Sequence, residues 1–66
     1  MKILLYEIKN DEIPSKPFKL ITSDIICHKG DIIRVYGELY LVRSVMNDYD
    51  TNTIKVFVSK SSDVLY

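Results

Sequence analysis

Cys27 and His28 are the side chains with the clearest capacity for nucleophilic or acid–base chemistry, and they are adjacent. A nucleophile needs its base within hydrogen-bond reach. Neighbours on an extended strand point to opposite faces, so the two cannot share a proton there, and a helical turn places them no better. Cys27 is therefore expected to be a small buried hydrophobe and His28 a turn-edge residue. Asp48-x-Asp50-x-Asn52 has the alternating oxygen spacing that opens a calcium loop. Thr53 stands where that loop needs glycine, however, and Ser59 where its last bidentate glutamate belongs. These residues are expected to be turn formers whose side chains bond their own backbone. Asp24 and Glu38 lack the spacing of a paired acid and base. One cysteine permits neither an internal disulfide nor a multi-cysteine zinc site. The expectation is a chain without catalytic residues, metal or cofactor.

The scale of the chain points the same way. At 66 residues it has room for one domain, 1–66, and a domain this small commits most of its apolar residues to folding. Little is left for the deep concavity an enzyme site needs. Nine basic and nine acidic residues cancel, so no charged tail for nucleic acid or membrane is present. The uncharged runs are a handful of residues long, far short of the ~20 a spanning helix requires, and the start lacks a signal-peptide apolar core. The reading is a cytoplasmic protein with no membrane partner.

The elements that position the side chains are strands. Nine Ile, six Val, five Tyr and three Thr stand against no Ala and no Gln, and no window repeats apolar residues at helical spacing. Lys2 to Lys9 reads as a first strand, with Leu4, Tyr6 and Ile8 on one face and Ile3, Leu5 and Glu7 on the other. Asn10 to Pro17 is a polar surface loop with two prolines. Phe18 to Thr22 reads as a short strand or the returning arm of that loop, residues 23–27 as one helical turn capped by Ser23-Asp24 or, preferred, as extended, and Lys29-Gly30-Asp31 as a turn with Gly30 at positive φ. Ile32 to Tyr36 and Leu39 to Met46 flank Gly37-Glu38, read as a type II′ hairpin turn. That apex pairs Arg34 with Leu41 and Ile33 with Val42, and it sends Ile33, Val35, Tyr40 and Val42 to the core. Val45 has the wrong parity to follow Val42 inward unless a bulge at Arg43-Ser44 corrects it. Thr53 to Ser59 then turns Ile54, Val56 and Val58 inward, and Val64 to Tyr66 closes the fold beside the first strand.

This order of elements resembles the SH3-like small barrel. His28-Lys29-Gly30-Asp31-Ile32-Ile33-Arg34-Val35 looks like the K-G-D-h-h-x-V stretch opening the second strand of SH3 domains, and Leu5-Tyr6-Glu7 is similar to part of their A-L-Y-D-Y segment. The resemblance implies an all-β, five- to six-stranded antiparallel barrel or strongly bent sheet. It carries over no binding residue. The chain has no tryptophan for an aromatic groove that grips proline-rich peptides, and Ile8 replaces the second tyrosine of the first motif.

The most informative surface is the outward face of the central hairpins. It presents Ile32, Arg34, Tyr36, Leu39 and Leu41, with Phe57 beside Leu41 and Lys55 nearby, and it depends on the Gly37-Glu38 apex. A contiguous apolar patch marks an interaction site, and aromatic residues with Arg are typical anchors. The expected role is a non-enzymatic protein-binding module, an inhibitor or adaptor that occupies a partner surface. Self-association as a homodimer is a second way to cover the patch, and the long loop or first strand folding over it a third. A chain rich in Lys, Ile, Asn and Tyr without Ala also suits a phage or mobile element with an AT-rich genome. The alternative is single-stranded nucleic-acid binding, with Arg34, Arg43 and Lys55 around Tyr36 and Phe57. A zero net charge weakens it.

Overall fold

A computed structural model describes residues 2–22 and 27–61. They form five strands: β1 (Lys2–Glu7), β2 (Lys19–Thr22), β3 (Ile32–Val35), β4 (Glu38–Asp48) and β5 (Thr53–Lys60). The strands make one strongly curled sheet, a half-barrel, in the order β2-β1-β5-β4-β3. The all-β class follows the residue choice, and among the described residues no helix is long and apolar enough to cross a membrane.

The sheet is mixed, not wholly antiparallel as expected. β1 runs parallel to β5, Ile3 beside Ile54 and Leu5 beside Val56. Parallel neighbours need a long crossover between them, and here the three intervening strands provide it. Both edges of β1 are thereby occupied, by β2 and β5. The expected closing strand at 64–66 and most of the extended segment at 23–27 lie outside the described residues.

Inside the curl the period-2 pattern is obeyed closely. Leu5, Val56 and Val58 have no exposed surface, and Ile3, Val42 and Ile54 almost none. Burying an aliphatic side chain of this kind contributes about 1.5–3 kcal/mol. Val45 joins this layer because the ladder between β4 and β5 shifts register between Val42 and Ser44, leaving Arg43 unpaired. The bulge expected at that place is present. Two contacts draw the far ends of the curl together. Phe18, just before β2, packs its ring 5.5 Å from that of Tyr40 on β4. The ammonium of Lys19 sits 4.3 Å above the Tyr36 ring at the β3–β4 tip.

The β3–β4 apex departs from expectation by one residue. Val35 pairs with Glu38, Arg34 with Leu39, Ile33 with Tyr40 and Ile32 with Leu41, so Tyr36 and Gly37 form the turn. Both lie at positive φ, 53° and 78°, which is the type I′ requirement, whereas the expected II′ turn asks it of one residue. The register is held from the other end. The amide of Gly30 donates to the Val42 carbonyl at 2.9 Å, and the Val42 amide donates to the Asp31 carbonyl at 2.9 Å. The turn before β3 is thereby pinned to the middle of β4. Gly30 has the expected positive φ, 95°. The loop after β1 also opens more tightly than its polar composition suggests. Asn10 and Asp11 both take positive φ and Lys9 bridges Glu12, because Asn and Asp tolerate the left-handed region.

Candidate functional site

Six of the expected docking residues share the convex side of the sheet, while Tyr36 lies in the β3–β4 turn with its ring against Lys19, which pairs with inward Leu5. The seven divide into two groups. Moving the apex by one residue changes each pairing by two positions, and an even change leaves every side chain on its original face. Arg34 therefore opposes Leu39 and Ile32 opposes Leu41 on the outer face. Ile32 is 51% exposed, Leu39 49% and Tyr36 71%, and Arg34 is exposed among them. These four belong to the hairpin whose outer strand, β3, ends the sheet.

The other three lie deeper. Leu41 opposes Ser59, and Phe57 opposes Ser44. The expected Phe57–Leu41 pairing is thus replaced by a diagonal relation, because the bulge falls between them. Phe57 is half-buried and stacks on Tyr6 with ring centroids 5.2 Å apart. Tyr6 also has convex-side parity, yet it is only 7% exposed, and Ser59 is 4% exposed. The convex face is thus covered at its β1–β5 centre and open at its β3–β4 margin. Lys55 is engaged already: its ammonium lies 3.2 Å from the Asp48 carboxylate. Arg43 donates to the Ser59 hydroxyl at 3.3 Å.

Asp48 does the turn-forming work expected of its segment. Its Oδ1 accepts from the amides of Asp50 and Thr51 at 3.1 and 3.3 Å. The hydrogen bond from Lys55, followed by those from the turn, holds the Asp48 carboxyl below its ordinary value. A depressed carboxylate stabilises the fold above its unfolded-state pKa, and that contribution disappears as pH falls through the folded value. The difference in melting temperature between the wild type and Asp48→Asn should accordingly be present at neutral pH and vanish at the acid end of the carboxylate range. Melting both proteins across that range, followed by circular dichroism, checks it.

The adjacent Cys27 and His28 have different surroundings. Cys27 packs against the core, where burial, aided by the Asp31 charge, pushes its thiol up, away from the thiolate a nucleophile needs. His28 is exposed and uses its amide to reach the Asp31 carboxylate at 2.8 Å, at the edge of the Gly30 turn.

Sequence reasoning passed over Glu7. It follows Ile3 and Leu5 on the inward side and pairs with buried Val58. Its Oε2 is buried and accepts no hydrogen bond from any described residue. An acid continuing an inward alternation was the available signal. Leu20 and Met46, 55% and 44% exposed, add further apolar surface. No family model, curated protein or solved structure matches the chain.

Proposed function

We propose that this chain is a non-enzymatic protein-binding module on an SH3-like small barrel, and that its partner docks on the outer face of the β3–β4 hairpin. The observation that carries the reading is the exposure of Ile32, Leu39 and Tyr36 around Arg34, at the margin of the sheet. Solvated faces seldom gather such a set, and Tyr and Arg are the residues that anchor interfaces. β3 also has one strand neighbour among the described residues. Its other edge offers backbone donors and acceptors to an extended segment of a partner. The SH3-like assignment is supported by the β3–β4–β5 meander and by the His28–Asp31 turn that feeds it. A module of this size acts by occupancy, as an inhibitor or adaptor does.

The single-stranded nucleic-acid reading has less support. One side of Tyr36 is taken by Lys19, Lys55 by Asp48 and Arg43 by Ser59. Of the three cations on which this reading relies, Lys55 is already neutralised by Asp48, and affinity scales with the number of phosphates neutralised.

The test compares the wild type with the double variant Ile32→Ser, Leu39→Glu in parallel captures from cell lysate. A protein retained by the wild type and lost by the variant, with melting unchanged, is the expected result. Equal capture by both would overturn the reading. Light scattering at several concentrations shows whether a second copy fills the patch. Salt-dependent binding of a labelled single-stranded oligonucleotide, lost on Arg34→Ala, would favour nucleic acid instead.

A further inference from the structure

The Glu7 carboxylate is the least satisfied polar group among the described residues. It sits at the end of β1, side chain 14% exposed, with Oε2 buried and without a hydrogen bond. Its nearest cation, the Lys9 ammonium, is 4.0 Å away on a side chain that is 70% exposed. A long, solvated pair of this kind contributes little, and it leaves the desolvation of a buried anion unanswered. Glu7 divides two hollows. The larger, of 560 Å³, has polar walls that include Arg43, Lys60 and Lys9. The smaller, of 290 Å³, runs from Glu7 past Glu12 along Ile13, Pro14 and Phe18. The smaller hollow has room for one long side chain and joins a carboxylate to an apolar wall.

We infer that the smaller hollow receives an arginine side chain from a protein partner, its guanidinium meeting Glu7 and its stem lying along Ile13, Pro14 and Phe18. Each part of that residue has a counterpart on the wall. The three methylenes of an arginine bury well against Ile13, which is 66% exposed, and against Pro14. Phe18 gives the stem a further apolar wall, and the planar head offers a fork of N–H donors to carboxylate oxygens. Glu12 at the rim supplies a second carboxylate. Rotation about the broad terminal torsion of Glu7 exchanges its two oxygens, so either can face the mouth. Lys9 and Lys16 also line the hollow. Both are exposed, and Lys9 must swing away when a guanidinium enters. This site is separate from the β3–β4 face and stands or falls independently of it.

The opposing influence of Lys9 provides the test. Binding of N-acetyl-arginine methylamide to the full chain is followed by the amide shifts of residues 7–18 in NMR spectra, with inorganic phosphate as the contrasting probe. The arginine probe should bind saturably. Glu7→Gln should weaken it at least about tenfold, the loss of one charge-assisted hydrogen bond. Lys9→Gln should tighten it, because a competing cation is gone. Glu7→Gln removes a buried charge, so the variant should melt no lower than the wild type. Absence of saturable binding by the arginine probe overturns the assignment, as does binding unchanged in Glu7→Gln. Weakening by Lys9→Gln together with saturable phosphate binding overturns it in favour of an anion site.

Discussion

Leu5→Ala should remove about half or more of the stability of the chain. Leu5 has no exposed surface and lies in a strand paired on both sides, beside Val56 on β5 and Lys19 on β2. Its carbonyl also accepts from the Phe18 amide at 2.8 Å, the bond that brings the long loop back onto the sheet. Truncating a buried Leu to Ala costs about 2–5 kcal/mol, the upper part where neighbours cannot collapse into the space. Leu5 is flanked by β-branched Val56 and by two hydrogen-bonded strands, which leaves little freedom to collapse. At about 0.05–0.15 kcal/mol per residue, a chain of 66 residues has roughly 3–10 kcal/mol in total. At the middle of both ranges the substitution removes about half of it, and at the upper cost about three quarters. Urea titration by circular dichroism would show a midpoint lowered to about half of the wild-type value or less, against a change within about 0.5 kcal/mol for Met46→Ala on the exposed side. A cooperative transition close to wild type would mean that the half-barrel does not depend on its β1–β5 seam.

The legibility of this fold in its sequence follows from what alternation does and does not encode. A period of two assigns faces, so Ile54, Val56 and Val58 are inward as expected, and the misfit of Val45 locates the bulge at Arg43. Faces survive even where the turn is misplaced. A reversal at Tyr36-Gly37 differs from one at Gly37-Glu38 by an even change of register, and parity is indifferent to it. Alternation carries no strand direction, which is why the parallel pairing of β1 with β5 was invisible. Nor does it tell whether an outward residue meets water. Tyr6 and Ile32 share convex-side parity, yet one is buried and the other half exposed. Turn chemistry was readable where glycine announces it, at Gly30. It was obscured where Tyr36, Asn10 and Asp11 adopt positive φ without one. For the candidate surface, parity was legible from the alternation, and the division into an open margin and a covered centre was not.

That division leads to the second large effect. Phe57→Ser should lower stability by about 2–3 kcal/mol, below the 3–5 of a fully buried Phe because the ring is only half-buried. The stack on Tyr6, at 5.2 Å, is worth about 0.5–1.5 kcal/mol beyond area. For a domain of this size the melting temperature should fall by roughly 8–24 °C. Phe57→Leu keeps most of the apolar area but loses the stack, so it should recover more than half of the loss. Leu39→Ser, at 49% exposure, should shift melting by only a few degrees. If Phe57 were instead a free anchor awaiting a partner, Phe57→Ser and Leu39→Ser would melt alike, and both would affect binding alone. A steep loss confined to Phe57 means that Tyr6 and Phe57 are a second packing layer. On the proposed reading, partner recognition would then rest on Ile32, Arg34, Tyr36 and Leu39, which are exposed in the fold.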